Sequence, residues 1–230
     1  MRILNGSGIN RGITSGIVFF HHPTPGGEPR FDLSINQKSI LEAAIARSVA
    51  ELEKDVEDGD RAHGDAVRMV FEAHKLMVRD PILLDDVFAR IDAGESAYRA
   101  YRDGAAAVVS RFSALTNPYM RNRVIDIIDA TDRVLHAMVA DQYERTFRFA
   151  EPHIIVMDQM RPSVILNCHR PHVVGFIAEA GAYDQHSSMI ARVKNLPGVV
   201  IPDAFRSLTD GDMVIVDGDA GIVTVVEPHS

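Results

Sequence analysis

Cysteine is nearly absent: Cys168 is the only one in 230 residues, which excludes an intrachain disulfide framework and any cysteine pair at metal-ligand spacing. A reducing cytoplasm is the compartment this predicts. Long apolar runs are missing too. The opening MRILNGSGINRG lacks the hydrophobic stretch of a signal peptide, and no later run approaches the length needed to span a bilayer. Nor is there an excess of basic charge. A formal net charge of -8 argues against nonspecific attraction to nucleic acid or to an anionic membrane, because both are polyanions. A basic protein partner or a small molecule suits such a chain better. What is present in quantity is core material: 46% of residues are hydrophobic, so disorder is not the expected state.

The hydrophobic period changes twice along the chain. Residues 2–20 carry short apolar pieces broken by Gly6, Gly8, Gly12 and Gly16, a texture of short strands and tight turns. The stretch His22 to Pro29 is dense in helix breakers and reads as a connector. From Ser34, taken as an N-cap, Leu41, Ile45, Val49, Leu52 and Val56 recur at helical spacing. Val67, Val70, Phe71, His74 and Met77 continue the pattern, and Asp80-Pro81 supplies a cap and an N1 proline for the next helix. Further stripes run from Tyr98 to Leu115 and from Val124 to Met138. Beyond Glu151-Pro152, five short apolar runs at 153–157, 173–177, 199–201, 213–216 and 222–226 read as buried strands. Asp210-Gly211 and Asp217-Gly218 to Gly221 are turn signals that would make the last of them hairpins. The expected organisation is an α/β unit formed by 1–21 and 151–230, with an all-helical unit over 34–145 between its two parts.

The most informative segment is Gly181-Ala-Tyr-Asp-Gln-His186-Ser-Ser-Met-Ile-Ala-Arg192, ahead of Asn195-Leu196-Pro197. The proline should end a short helix, leaving His186 at its N-terminus, where backbone N–H groups and the helix dipole stabilise an attached oxyanion. A neutral imidazole is nucleophilic near physiological pH, and a hydrogen bond at one ring nitrogen leaves the other to attack phosphorus. Ser187 and Ser188 add hydroxyl and amide donors in the first turn. On pattern alone, a histidine near a helix start is more often a cap or a surface residue. His21, His22, His63, His136, His153, His169 and His172 form no persuasive metal-ligand array, so no metal is expected in this chain.

This segment resembles the phosphohistidine motif of the phosphoenolpyruvate-utilising enzymes, with Gly181, His186, Ser188, Ala191, Arg192, Leu196 and Pro197 in register. Within that superfamily, 70–84 (Val-Phe-Glu-Ala-His-Lys-Leu-Met-Val-Arg-Asp-Pro-Ile-Leu-Leu) and Tyr119 to Asp129 are similar to helical segments of Enzyme I. The resemblance covers essentially the whole chain. It implies a swivelling α/β phosphohistidine domain with an inserted helical subdomain that docks HPr, the small histidine phosphocarrier. It implies a phosphoryl relay through His186, supported by Arg161, Asp184, Ser187, Ser188 and Arg192. Arg161 stands where the family has a threonine that contacts the active histidine, a contact its backbone carbonyl could take over. Arg192 is six residues past His186, roughly 240° around an ideal helix, and so is placed equally well to complement the helix C-terminus.

The resemblance places the HPr surface at Val70, His74, Met77, Leu83, Met120 and Arg123. Helical spacing reads Val70, Met77 and Leu83 equally well as core, His74 as a structural histidine, and Arg123 as a partner of Asp126 or Asp129. Phosphoenolpyruvate and Mg2+ belong, on this resemblance, to a C-terminal barrel of the same or another chain, and no cofactor is expected in this one. The usual Arg-Thr-Ser before the active histidine is Tyr183-Asp184-Gln185 here, which introduces a carboxylate beside a site meant for a dianion. Asp184 would repel the phosphoryl group or, if turned to the imidazole, raise its basicity. The alternative expectation is therefore a non-catalytic regulatory or binding module on the same fold.

Overall fold

The computed structural model describes residues 1–21, 31–62, 65–117, 120–121, 123–139, 149–168, 170–182 and 186–226. The connector expected over His22 to Pro29, the helix end beyond Val139, and the Val56 and Val67 side chains lie outside the described residues. Two compact units are formed, one from Met1–His22 with Arg145–Ser230 and one from Pro23–Glu144.

The first unit is built on one eight-stranded mixed sheet. Its strands are β1 (Arg2–Asn5), β2 (Ser7–Asn10), β3 (Ile13–His21), β4 (His153–Gln159), β5 (Val173–Ala180), β6 (Gly198–Val200), β7 (Met213–Asp217) and β8 (Ile222–Val226), in the order β1-β8-β7-β3-β4-β5-β6-β2. β3, β4, β5 and β6 are parallel; the strands flanking them are antiparallel. The central position of β4 explains its composition. Ile154, Ile155, Val156 and Met157 are all fully buried, as a parallel strand covered on both faces requires. One face of the sheet buries Val18, Ile154, Val156, Ile177, Val199, Val214, Val216 and Val223 together with Ala204 and Leu208.

The last two strands do form a hairpin, and Gly221 turns it at φ 70°, a left-handed conformation that suits glycine. Asp210-Gly211 does something else. No strand precedes it to pair with β7; instead its groups dock on β3, with the Gly211 amide donating to the Val18 carbonyl at 2.9 Å and Asp210 accepting from the Phe20 amide at 2.8 Å. The turn sets where β7 meets β3.

The second unit consists of α1 (Gln37–Ala62), α2 (Asp65–Met77), α3 (Pro81–Asp92), α4 (Ala97–Ser113) and α5 (Val124–Val139) among the described residues. Asp80 caps α3 by accepting from the Ile82 amide, with Pro81 next to it. The cap of α1 is Asn36 rather than Ser34: its side chain accepts from the Lys38 and Ser39 amides at 3.0 and 3.3 Å. Ser34 closes an earlier turn on Asp32. Gln37, at the start of α1, accepts from the Ala97 amide at 2.9 Å and so ties that helix to the start of α4. The α4 stripe is shorter than its apolar spacing implies, because the helix ends at Ser113 and leaves Leu115 exposed. Leu41, Ala44, Ile45, Val49, Val78, Leu83, Val87, Tyr101, Ala130 and Val134 form the shared core.

Tyr101 is fully buried, and its hydroxyl finds no hydrogen-bond partner among the described residues. Burial, with the charge of Asp132 adding to it, raises its pKa far above that of an ordinary phenol. An unfolded tyrosine ionises near pH 10 while the folded one keeps its proton. Above about pH 10 the native state therefore binds more protons than the unfolded state, and stability falls as pH rises. Tyr101→Phe should leave stability unchanged or raise it by about 1 kcal/mol at neutral pH and abolish this share of the alkaline loss. Tyr101→Ala should cost about 3–5 kcal/mol. Urea denaturation at pH 7 and pH 11 measures both.

Candidate active site

The carboxyl ends of parallel strands are where an α/β sheet opens to a ligand, and the sequence-predicted site lies at such ends. β4 and β5 run in register with Gln159 opposite Ala180, and the Met160 amide then donates to the Ala180 carbonyl at 3.2 Å. A short helix α6 (Pro162–Asn167) follows β4 with Arg161 as its N-cap and Pro162 at N1. A second helix, α7 (His186–Val193), follows β5. The two helices pack on each other. The crossing is close at Gly181, where a Cβ would stand 2.5 Å from Met160 Sδ and would force that buried side chain to shift.

His186 is the first residue of α7 and is half-buried. The first amides of any α-helix lack an intrahelical carbonyl to bond, and the positive end of the dipole lies at the same terminus. Ser187 and Ser188 are both fully buried. The Ser188 hydroxyl donates to the Ala182 carbonyl at 2.5 Å, fastening the helix start to the end of β5. That hydroxyl is a structural tie. The Ser187 hydroxyl finds no partner among the described residues.

The far end of α7 is closed as the Asn-Leu-Pro sequence requires. Asn195 adopts a left-handed φ of 50°, its amide donates to the Arg192 carbonyl at 3.0 Å, and the Leu196 amide donates to the Ala191 carbonyl at 3.1 Å. This is a Schellman closure. Asn10 of β2, which the sequence reading did not single out, completes it by donating its side-chain amide to the carbonyls of Ala191 and Leu196 at 3.1 and 2.9 Å. Nothing distinguishes Asn10 from other turn-forming residues in a glycine-rich start; its role depends on a contact more than 180 residues away. Arg192 sits in the last turn, where a cation complements the helix end.

Arg161 is 6% exposed, and its Nη2 donates to Asp158 Oδ2 at 3.2 Å. Its carbonyl, expected to orient the histidine, accepts from the Ile165 amide at 3.1 Å in the first turn of α6. That bond uses one of the carbonyl's two lone pairs. Cys168 is buried and its thiol is pushed up to about 12, mainly by burial, so it offers no thiolate at neutral pH. Asp184, with Tyr183 and Gln185, lies outside the described residues. Among the described residues no three His, Cys, Asp or Glu side chains are grouped as metal ligands.

In the helical unit, three of the residues expected at a partner surface are not at a surface. Leu83 belongs to the helical core, and Val70 and His74 are 3% and 0% exposed, so an incoming protein does not reach them. His74 instead faces α5, with Nδ1 3.8 Å from Asp129 Oδ2 and its ring edge-on to Phe71. Asp126 and Asp129 are both buried, and Arg123 pairs with Asp126 at 3.4 Å. Met77, Met120 and Arg123 are partly exposed. The exposed apolar side chains of this region are Met69 and Leu76 on α2 and Ile82 at the start of α3.

Residues 5–123 match the family described as PEP-utilising enzyme, N-terminal, and residues 149–221 match PEP-utilising enzyme, mobile domain. The chain belongs to the PEP-utilising enzymes. Its relatives include proteins named phosphoenolpyruvate-protein phosphotransferase from Priestia megaterium (31% identical over 86% of this chain), Bacillus subtilis (32% over 86%) and Streptomyces coelicolor (28% over 96%). The chain spans only 36%, 37% and 40% of those proteins. The fold is that of the amino-terminal domain of Enzyme I. A solution structure of an Enzyme I protein aligns with a TM-score of 0.69 at 24% identity, over 98% of this chain and 94% of that one. The N-terminal domain of a nitrogen-type Enzyme 1 aligns at 0.67 and 19%, over 96% and 93%.

Asn10→Ala should leave the sheet intact and weaken the closure of α7, costing about 1–3 kcal/mol because two carbonyls lose a buried donor. Faster amide hydrogen exchange in α7, with little change in β4 and β5, is the expected signature.

Proposed function

We propose that this chain is a phosphohistidine relay module: His186 accepts a phosphoryl group and passes it to a histidine of an HPr-like carrier protein. The observation that carries the reading is the position of His186 as the first residue of α7, at the carboxyl end of β5. A phosphoryl group on the ring would meet first-turn amides and the positive end of a helix dipole, which stabilise an anion without a metal at this site. The chain's own residues do the positioning. Ser188 and Asn10 fix the two ends of α7 through carbonyl contacts, and Gly181 lets β5 approach Met160 closely enough to bring Arg161 beside it. Phosphoryl transfer needs little covalent chemistry from a protein beyond such placement and charge. Phosphoenolpyruvate and Mg2+ are assigned to a C-terminal barrel of the same or another chain, and swivelling of the α/β unit would carry the histidine between the two. The family membership and the names of the relatives support this assignment.

The carrier surface is proposed at Met69, Leu76 and Ile82 with the partly exposed Met77, Met120 and Arg123. Met69 and Leu76 are seven residues apart on one helix and so share a face.

Intact-mass analysis after mixing with phosphorylated HPr should show one acid-labile phosphoryl adduct on the native chain and none on His186→Ala. Binding of HPr without an adduct would support the non-catalytic module instead. Leu76→Glu should slow phosphorylation by limiting phospho-HPr at least about tenfold, the equivalent of one lost apolar anchor, while leaving phosphorylation by the small donor phosphoramidate unchanged.

A further inference from the structure

We infer that the Arg161 guanidinium is the fixed positive charge that holds the phosphoryl group on His186, an inference that rests on the relay reading above. Three contacts place it. Gln159 lies opposite Ala180, the Met160 amide donates to the Ala180 carbonyl at 3.2 Å, and Gly181 abuts Met160 with no room for a Cβ. The two segments therefore leave the sheet side by side. Arg161 is the next residue on one and Ala182 the next on the other. The Ala182 carbonyl in turn holds the Ser188 hydroxyl, which pins the first turn of the helix that begins with His186. Arg161 and His186 thus belong to adjoining helix starts at the carboxyl ends of two interior strands.

The burial of Arg161 is the second argument. Its side chain is 7% exposed while that of Asp158, its partner at 3.2 Å, is 37% exposed. Burial holds that guanidinium in one place inside the protein, as a fixed whole charge rather than a freely solvated one. A dianion with three acceptor oxygens matches the planar fork of arginine better than a single carboxylate oxygen does. Asp158 can yield the fork when that second anion arrives, because its carboxylate already reaches water. Unlike lysine or histidine, arginine cannot lose its charge as the phosphoryl group comes and goes.

The test uses the whole chain and phosphoramidate, which needs no protein partner. A lone pair of the neutral His186 imidazole forms an N–P bond as the N–P bond of phosphoramidate's ammonio form breaks and ammonia departs. The other ring nitrogen keeps its proton, leaving a cationic ring with a dianionic phosphoryl group. The native chain, Arg161→Thr, Arg161→Lys and Asp158→Asn are compared by intact mass for adduct lifetime and by phosphorus NMR for the phosphoryl ionisation midpoint, with circular dichroism as the fold control. Arg161→Thr should shorten the lifetime by roughly tenfold to a hundredfold, the scale of losing one charge-assisted hydrogen bond to the resting adduct. The midpoint should rise, because a neighbouring cation favours the dianion, and Arg161→Lys should bring it back down. Asp158→Asn should lower it, since it removes a competing anion, and this holds the inference to account even if Arg161→Thr does not fold. A folded Arg161→Thr with native lifetime and midpoint, or an unmoved midpoint in Asp158→Asn, overturns the inference alone. No adduct on the native chain from phosphoramidate or phospho-HPr overturns the relay reading itself.

Discussion

Every element of the candidate site hangs on the parallel pairing of β4 with β5. The two strands are buried on both faces, so packing on either side as well as the hydrogen-bond ladder holds their register. That register puts Gln159 opposite Ala180 and carries the pairing one step beyond the strand through the Met160 amide. Two helices then begin within a few residues of one another. Arg161 caps one and His186 opens the other, and neither sequence neighbourhood alone shows that the two helices pack on each other.

The strands and helices were legible because their periods are strong. β4 reads as an unbroken apolar run, and α3 carries both its cap and its N1 proline in Asp80-Pro81. The start of α7 and its Asn-Leu-Pro end were equally plain in the segment around His186, where local rules decide the structure. What escaped was non-local. Asn10 acts through contacts with residues distant in the chain, and, closer in sequence, Asn36 caps α1 in place of Ser34, which bonds Asp32 in an earlier turn.

The helical unit shows how a pattern can be right about structure and ambiguous about exposure. Residues at helical spacing are as well suited to a core as to a docking face, and Val70, His74 and Leu83 fell on the buried side. The reason is visible in α5, which buries Asp126 and Asp129. Buried carboxylates need polar company, and His74 supplies it from inside while the partly exposed Arg123 supplies it from the rim, so a histidine that looks like a recognition group in the sequence is drawn inward. The face left outside is made of Met69, Leu76 and Ile82, apolar side chains with no structural need met by exposure.

The charge pattern of the site sets what the chemistry can be. A helix N-terminus offers partial charge from amides and a dipole, enough to favour an anion but spread over several groups. A buried arginine offers a whole charge at one place, and it stays charged across the pH range in which histidine titrates. The carboxylate of Asp158 opposes it and limits how tightly any anion is held. A relay benefits from that opposition. On the relay proposed above, a phosphoryl group bound too well would not move on, and the balance between Arg161 and Asp158 would let the site accept a dianion and still release it.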